Sequence, residues 1–335
     1  MLIDASLPPR GLKDIPAIAR AAEQAGFHAL WSPETMHDPF LASAMIGEYT
    51  SRLQFGTGIA VSFARSPVSM AYSAWDLAQA SQGRFLLGLG TQVKAHIQRR
   101  FGMPWPDSPV NKLREQIEVL RAVWRCWQEN QSLNFRGEYY QLSLMTPFFN
   151  PGPISHPHIP IFIAGVNNGL ARLAGEAADG FLVHPFHSPR YLGEVLIPAM
   201  QEGLARSGRP RTGLQIAATV FAAASPFERQ FVRQQIAFYA STPSYRPVMA
   251  LHGWQEQAEQ LSTLAARNRW ADMPDLIDDE MLGTFAVLGE EGEIADLLLQ
   301  RYQGLLDRLG LYLPYMPGER DEFWSRLLSA LSDPD

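Results

Sequence analysis

Several side chains that can transfer protons follow short apolar runs of this chain, at the points where those runs end. Glu34 and His37 follow the second run, His96 follows a later one, and His184 follows the run 181–183. Carboxylates and imidazoles serve as general acids, general bases and metal ligands. The first run lacks the paired histidines of metal-dependent barrel hydrolases, and no run carries a lysine for Schiff-base chemistry. We therefore expect no metal site, and we name Glu34, His37 and His184 as candidate catalytic residues.

A second chemical signal lies where the apolar run 159–164 meets Gly165. Asn167 and Asn168 then favour the start of a helix. Free backbone N–H groups at a helix start, beside a glycine, suit a phosphate. The glycine patterns of dinucleotide-binding and nucleoside-triphosphate-binding loops are absent here, and a plain structural turn would use the same residues. Phosphate binding and a structural turn both remain open for this loop.

The elements that would position these residues are eight short apolar runs that alternate with helical patterns. This alternation predicts an α/β fold, a (β/α)8 TIM barrel, with a doubly wound sheet as the alternative. We interpret the chain as one domain, 1–335, with insertions at about 134–160 and 240–275. The predicted strands are 2–7, 27–31, 53–61, 84–90, 159–164, 181–183, 214–222 and 309–313, and the predicted helices, besides the one after Gly165, are 12–26, 40–49, 67–81, 111–129, 191–207, 228–239, 254–267, 294–308 and 320–331.

In such a barrel, ligands bind at the C-terminal ends of the strands. Gly56 and Gly58, in the middle of the third strand, would let a planar group approach the backbone closely. An apolar pocket beside one phosphate loop suits a flavin-like cofactor, and both insertions would form walls of the pocket. Ordinary loop packing is the alternative for its apolar residues. The residues that we assign to a substrate pocket are Met36, Phe40, Phe63, Phe148, Phe149 and Phe186.

The composition bounds the class of protein. The 335 residues are 46% hydrophobic and 19% charged, which is typical of a compact globular chain. A net charge of −6 and the lack of basic runs argue against a nucleic-acid surface. The single Cys126 excludes an internal disulfide and favours a reducing compartment. With no leader-like or membrane-spanning run, we expect a cytoplasmic protein that binds a small-molecule substrate rather than nucleic acid or membrane.

Four groups of motifs, in order along the chain, resemble the bacterial luciferase-like monooxygenase superfamily. They are GFHALW (26–31) with Glu34, GTGI (56–59), GRFLLGLG (83–90), and AG (164–165) followed by LAGEAADG (173–180). Within that superfamily the chain is most similar to the oxidoreductases that use coenzyme F420, a deazaflavin. The strings HDPF (37–40), HIQRRF (96–101), MTPF (145–148) and HPF (184–186) resemble one branch of that group.

The resemblance implies a (β/α)8 barrel whose cofactor ring lies against the third strand. Members carry a non-proline cis peptide there, which maps to Gly58–Ile59 and would form a bulge behind the ring. The cofactor phosphate would lie on the backbone at Gly165, Val166 and Asn167, in agreement with the loop analysis above. The full set of residues that we assign to cofactor binding is Ser6, Glu34, Gly56, Thr57, Gly58, Ile59, Gly90, His96, Ala164, Gly165, Val166, Asn167 and His184.

The chain departs from the sugar-phosphate dehydrogenase branch of the same group. That branch pairs a histidine after strand two with a glutamate after strand four, and the matching residues here are Thr35 and Val93. Neither can act as a general base at neutral pH, so sugar-phosphate oxidation by that route is not expected. Glu34 keeps the family's acidic position, and His37 and His184 are the nearest candidate proton donors.

Three functions remain open at this point. The leading hypothesis is hydride transfer between reduced coenzyme F420 and an apolar unsaturated or carbonyl substrate. The first alternative is a two-component monooxygenase that uses FMN supplied by a separate flavin reductase. The second alternative is a non-catalytic barrel that binds a flavin or a metabolite. In each case we expect a homodimer, because barrels of this superfamily commonly pair through the helices after strands two and three. Helix 67–81 offers apolar residues for such pairing, and the alternative is that they face the barrel of their own chain; they are Met70, Tyr72, Trp75 and Leu77.

Overall fold

The computed structural model describes residues 1–331, so the last four residues of the predicted domain 1–335 lie outside the described residues. Its strands are β1 (Leu2–Ser6), β2 (Ala29–Ser32), β3 (Gln54–Thr57), β4 (Ala60–Val61), β5 (Phe85–Gly90), β6 (Phe135–Arg136), β7 (Gln141–Leu142), β8 (Ile161–Gly165), β9 (Gly180–Val183), β10 (Gln215–Ala223), β11 (Ala286–Leu288) and β12 (Arg308–Leu311). Its helices are α1 (Ile15–Ala25), α2 (Pro39–Tyr49), α3 (Pro67–Ala80), α4 (Lys94–Arg99), α5 (Pro109–Glu129), α6 (Asn168–Ala177), α7 (Pro189–Tyr191), α8 (Ile197–Ser207), α9 (Pro226–Ala240), α10 (Arg246–Leu251), α11 (Gln255–Ala266), α12 (Asp279–Phe285), α13 (Ile294–Tyr302) and α14 (Asp321–Leu331).

Eight of these strands close into a parallel barrel. The order around the barrel is β1, β2, β3, β5, β8, β9, β10 and β12, and β12 pairs with β1 to complete the circle. The short strand β4 pairs with β5, and β11 pairs with the end of β10. The predicted (β/α)8 barrel is therefore confirmed, and all eight predicted strands lie in it.

Local sequence signals explain several of the element boundaries. Gly26 ends α1 in the left-handed region, with a φ of 97° that other residues rarely adopt. The Asp38 side chain accepts the N–H of Phe40 at 2.8 Å and so caps α2. Ser225 and Glu228 form a reciprocal capping box at the start of α9.

Some predicted boundaries were wrong. The predicted helix 294–308 ends at Tyr302, because a turn at Gly304, with φ at 79°, separates it from β12. The third predicted strand divides into β3 and β4 around Gly58–Ile59. β11, α4, α10 and α12 were not predicted, since three to seven residues are too few to show a period.

The inside of the barrel is filled by alternate residues of the strands. Trp31 and Phe162 pack edge to face there with ring centroids 5.4 Å apart, beside Leu86 and Ala217. Glycines on the same faces provide the room. A Cβ on Gly180 would lie 2.1 Å from the Phe162 ring, so a larger residue cannot replace that glycine without displacing the ring.

A buried ion pair crosses the same interior. The Arg308 guanidinium donates through Nε to Oδ2 of Asp4 at 2.8 Å and through a terminal nitrogen to Oδ1 at 2.9 Å. Trp31 Nε1 also donates to Asp4 at 2.8 Å, and Gln54 accepts the remaining Arg308 nitrogen at 3.0 Å. The side chains of Arg308 and Asp4 are 1% and 4% exposed. The pair is thus fully hydrogen-bonded, as a buried charge must be.

The insertion at 134–160 lies elsewhere than predicted. The Phe149 carbonyl accepts the Tyr72 hydroxyl at 2.5 Å, and the Gly152 carbonyl accepts Trp75 Nε1 at 3.2 Å. Tyr72 and Trp75 belong to α3, so this segment runs along the outer helices of the barrel. Phe148 is 89% exposed on that outer surface. The structure does not place this insertion as a wall of the barrel mouth.

The second predicted insertion, 240–275, does lie over the ends of the barrel strands. It is part of a longer excursion that leaves β10 and returns at β11. Asn167, after β8, donates through Nδ2 to the Ser244 carbonyl at 2.9 Å. The ring of Tyr245 lies 4.8 Å from that of His184, after β9. This excursion therefore covers the mouth of the barrel on the side of β8 and β9.

The helix α3 does not show an unused apolar face at the residues named above. Met70, Trp75 and Leu77 are buried in the core of the same chain, and Tyr72 is half-buried. The homodimer stays a prediction.

The buried ion pair gives a direct test of the barrel interior. We expect Arg308→Met to lower the free energy of unfolding by about 3–5 kcal/mol, because Asp4 would stay buried without its charge partner. Urea denaturation measures this change. The matched control is Arg326→Met, whose ion pair with Glu322 on α14 is exposed, and it should change the free energy by less than about 0.5 kcal/mol. Equal effects of the two substitutions would contradict this account.

Candidate functional site

The C-terminal ends of the barrel strands form the mouth of the barrel. Predicted site residues follow β1, β2, β3, β5, β8 and β9, which are successive neighbours around the barrel. Ser6, Gly90 and Ala164 occupy or adjoin the last positions of their strands. The fold therefore brings most of the predicted cofactor-binding residues to one rim, and the contacts of each show what it can do there.

Backbone rather than side chains forms the rim at β3 and β5. The Thr57 hydroxyl donates to the Gly88 carbonyl at 2.6 Å and accepts the Gly88 N–H at 2.9 Å, so this buried side chain is fully used in joining the two strands. The peptide bond Gly58–Ile59 is cis, as the resemblance predicted. A Cβ on Gly90 would lie 2.7 Å from Ile59. The half-buried Ile59 side chain consequently packs directly on the glycine end of β5.

Glu34 has a structural role, because it holds the segment after Ile59 in place. Its carboxylate accepts the Val61 N–H at 2.7 Å and pairs with Arg65 at 2.6 Å, and Arg65 also reaches Asp38 at 2.8 Å. The Glu34 side chain is 7% exposed. Both of its oxygens are occupied within the protein, so this geometry suits positioning of the rim better than abstraction of a substrate proton.

The start of α6 offers backbone donors at the mouth. Asn167 is the N-cap residue, yet its side chain makes no capping hydrogen bond and instead donates to Ser244. Its Oδ1 atom is buried without a partner among residues 1–331. A Cβ on Gly165 would lie 2.8 Å from Cβ of Leu170, so glycine is needed for the close approach of β8 to α6. The N–H groups of the first turn remain available for an anion.

A lysine that the sequence analysis did not select lies beside Phe63, in the segment that follows β4. Lys112, in the first turn of α5, holds its Nζ 5.1 Å from the centre of the Phe63 ring. Its neighbour Val110 lies 3.4 Å from the Cβ position of Gly169 in α6. Burial lowers the pKa of the Lys112 amine, and no carboxylate among residues 1–331 forms an ion pair with this amine. An anionic ligand at the start of α6 would therefore find a cation nearby.

His184 is held in one orientation at the end of β9. Its Nδ1 accepts the N–H of Phe186 at 3.1 Å, and its half-buried ring lies 4.7 Å from that of Tyr239. Burial, with a smaller effect of His187, lowers the pKa of His184 to about 3. The imidazole is therefore neutral at physiological pH. Because Nδ1 accepts a hydrogen bond, the single ring proton resides on Nε2.

Three tyrosines near His184 were also missed by sequence reasoning. Tyr239 and Tyr312 join their hydroxyls at 2.8 Å, and Tyr312 donates to Gln235 Oε1 at 3.1 Å. Burial raises the pKa of both Tyr239 and Tyr245. Tyr312 continues the inward-facing alternation of β12, which was a usable signal. Tyr239 is the last residue of the predicted helix 228–239 and Tyr245 lies in the irregular segment after it, so the sequence did not indicate that either side chain faces the mouth.

The other predicted site residues are spread over different environments. His37 and Met36 are exposed in the loop after β2, and His96 is exposed on α4. Phe63 and Phe186 are buried and face neighbouring aromatic rings, while Phe40 is half-buried under Arg65. These three phenylalanines pack against other side chains of the protein and do not line an open pocket. Phe148 and Phe149 lie outside the barrel beside α3, and the structure does not bring them to the mouth.

The luciferase-like monooxygenase family matches residues 3–308. The chain belongs to this family. An uncharacterized protein of Mycobacterium tuberculosis is 44% identical over 313 residues, which cover 92% of each chain. A putative coenzyme F420-dependent oxidoreductase of the same organism is 28% identical and covers 84% of this chain and 85% of its own. Among solved structures, the coenzyme F420-dependent tetrahydromethanopterin reductase from Methanopyrus kandleri has a TM-score of 0.77 at 21% identity, covering 98% of this chain and 97% of its own.

These similarities support an oxidoreductase of the luciferase-like family and confirm the family and fold predicted from the sequence. Residues 1–331 contain no group of three or more His, Cys, Asp and Glu side chains arranged to hold a metal ion. Over the same range, no helix has the length and apolarity needed to span a membrane.

The structural role of Glu34 can be tested through the stability of the protein. We expect Glu34→Ala to lower the free energy of unfolding by about 2 kcal/mol, because the Val61 N–H and Arg65 would lose a charged partner. Thermal or urea denaturation gives the value. His37→Ala changes an exposed neighbour in the same loop and should stay within about 0.5 kcal/mol. If Glu34→Ala changed the free energy of unfolding as little as His37→Ala, the structural role assigned to Glu34 would be wrong.

Proposed function

We propose that this luciferase-like protein binds coenzyme F420 and transfers hydride between the reduced cofactor and an apolar unsaturated or carbonyl substrate. The observation that carries the proposal is the uncapped start of α6, which opens at the barrel mouth beside Gly165. A relative named a putative coenzyme F420-dependent oxidoreductase supports the choice of cofactor, since it is similar over most of both chains. When bound, the deazaflavin would supply the hydride-transfer chemistry.

The described residues fit such a cofactor at two places. The Cβ positions of Gly56, Gly58 and Gly90 are occupied by Leu86, Trp31 and Ile59. We therefore expect a planar ring at this rim to lie against the half-buried Ile59 side chain and its neighbouring backbone. The N–H groups at Gly165 to Asn167 would bind the phosphate. The Lys112 amine lies over the Phe63 ring, and Val110, one helical half-turn away, packs on Gly169 of α6. We therefore expect the Lys112 charge to offset the negative charge of the phosphate-bearing tail.

The remaining task of the protein is to position the substrate and to manage a proton. His37 and His184 are the two candidates for this role. His184 has the better position, because its ring follows β9 and is fixed by Phe186 and Tyr239, whereas His37 is exposed in a loop. Since the His184 imidazole is neutral, it would hold the reacting oxygen through an Nε2–H hydrogen bond, and the proton itself would come from water. The absence of an acid–base pair at Thr35 and Val93 argues against sugar-phosphate oxidation.

The direct test of this function is a fluorescence titration of the purified protein with coenzyme F420 and, in parallel, with FMN. We expect tight binding of the deazaflavin and weaker binding of FMN. A preference for FMN would instead support the two-component monooxygenase, which the family of this chain also includes. Binding of neither cofactor would contradict the proposal and would leave Gly165 as a structural turn.

The charge on Lys112 gives a second prediction. Lys112→Gln should weaken F420 binding about tenfold, the effect of losing one charge-assisted contact. It should also reduce the dependence of the dissociation constant on salt, because one screened attraction is removed. Lys112→Arg should keep most of the affinity. The same fluorescence titration, repeated at several salt concentrations, measures both effects.

Lys94→Gln is the matched control for this prediction. Lys94 is exposed at the start of α4, also on the mouth side of the barrel. The Lys94→Gln substitution removes the same charge from the protein as Lys112→Gln does. Its affinity should stay within about twofold of the unsubstituted protein. Equal losses in the two variants would mean that net charge, rather than the location of Lys112, sets the affinity.

A further inference from the structure

Five aromatic side chains form a cluster across the mouth from the proposed cofactor rim. Counting around the closed barrel, β10 is four strands from β3 in either direction, and β9 and β12 flank β10. The cluster is carried by these three strands and by the excursion that covers them. Its members, here called the tyrosine cage, are His184, Phe221, Tyr239, Tyr245 and Tyr312.

The rings of the tyrosine cage are in mutual contact. Tyr312 lies 4.7 Å from Phe221, and Tyr239 lies 6.4 Å from each of these rings. Tyr239 and Tyr245 approach the imidazole of His184 to 4.7 and 4.8 Å from the excursion. Phe221 is fully buried beneath the other rings, and the half-buried rings of Tyr239, Tyr245 and Tyr312 present apolar faces rather than charges. It suits a planar apolar molecule.

Polar groups within the cage are mostly satisfied by one another. The hydroxyls of Tyr239 and Tyr312 bond to each other, and Tyr312 is tied further to Gln235. His184 differs, because its Nδ1 is occupied by the Phe186 N–H while no residue of 1–331 hydrogen-bonds to its Nε2. Nε2 lies on the side of the ring away from its own backbone. A neutral imidazole so fixed offers one N–H donor to a ligand.

We propose that the tyrosine cage is the substrate site, and that it takes a planar, apolar molecule with a conjugated carbonyl whose oxygen accepts a hydrogen bond from Nε2 of His184. This inference rests on the proposed function, since the carbonyl compound would lie between the cage and the cofactor rim. Hydride from the reduced deazaflavin would form a C–H bond at the β-carbon, and the displaced π-electron pair would move to the carbonyl oxygen. The Nε2–H group would stabilise that charge, and water would supply the proton that completes the product.

The test compares a conjugated ketone with its hydrocarbon analogue. Benzylideneacetone and 1-phenyl-1-butene share a planar phenyl-alkene part, and only the ketone has an acceptor oxygen. Binding of each is titrated by protein fluorescence or NMR, with the protein free and loaded with oxidised F420. We expect the ketone to bind the unsubstituted protein more tightly, and His184→Ala to weaken ketone binding about tenfold while hydrocarbon binding stays unchanged.

Two further variants make the comparison specific. Tyr239→Ala removes apolar cage surface and should weaken both compounds, whereas His156→Ala alters an exposed histidine of the outer segment 134–160 and should affect neither. His184→Gln keeps an N–H donor and should recover part of the ketone affinity. If His184→Ala left the ketone affinity intact, or if the unsubstituted protein bound no ketone, the assignment of this site and substrate class would be overturned.

A spectroscopic measurement is independent of substrate binding. With ¹⁵N-labelled histidine, long-range ¹H–¹⁵N spectra should show His184 as the neutral tautomer with the proton on Nε2, and the His184→Gln spectrum assigns the signals. An imidazolium or a proton on Nδ1 would contradict the proposal. Cofactor binding is read separately in the F420 titration. Failure of that titration would refute the proposed function, whereas normal cofactor binding with failed ketone binding would refute the tyrosine cage alone.

Discussion

The packing inside the barrel sets the position of everything else in the structure. Trp31 and Phe162 fill the interior at mid-height, and Asp4 and Arg308 form a buried ion pair across it. The aromatic packing is possible because Gly180 and other inward-facing positions carry no side chain. With the interior closed, no ligand can pass into the barrel. A ligand must bind above this floor, at the C-terminal ends of the strands.

Above the floor, the two halves of the mouth differ in chemistry. The half formed by β3, β5 and β8 presents backbone, because Thr57 joins two strands and Glu34 is occupied by Val61 and Arg65. The half formed by β9, β10 and β12 presents the aromatic rings of the tyrosine cage and the one fixed donor of His184. A planar cofactor suits the first half and a planar substrate suits the second. The excursion after β10 covers this second half through Tyr239 and Tyr245.

The sequence was sufficient to predict the barrel, the cis peptide at Gly58–Ile59 and the start of α6. Alternating apolar runs and helices predict a barrel because burial on both faces of a parallel strand leaves a clear signal. The motif at 56–59 led to the cis peptide through the resemblance, and Gly165 with Asn167 indicated the start of α6. These features depend on local sequence or on backbone conformation, which a single chain reveals well.

Features that depend on contacts between distant segments could not be predicted. Phe148 and Phe149 were assigned to the mouth from residue type alone, but the Tyr72 hydroxyl holds this segment on the outer helices. Glu34 is of a residue type that can act in catalysis, but its contacts with Val61 and Arg65 give it a structural role. Tyr239 lies 73 residues from Tyr312 along the chain, and only the tertiary fold brings their hydroxyls together. The sequence predicted that the insertion 240–275 forms a wall of the pocket, but it did not predict that Tyr245, and Tyr239 just before the insertion, place their rings there.

The most direct test of the central claim, that a deazaflavin lies across the β3–β5 rim with its phosphate on α6, is hydrogen–deuterium exchange with and without coenzyme F420. The account predicts slower exchange on binding in two segments, the rim at 58–63 and the start of α6 at 165–170. The outer segment at 146–152 should exchange at the same rate in both states. Binding without protection at the start of α6, or with protection confined to the outer segment, would contradict the account.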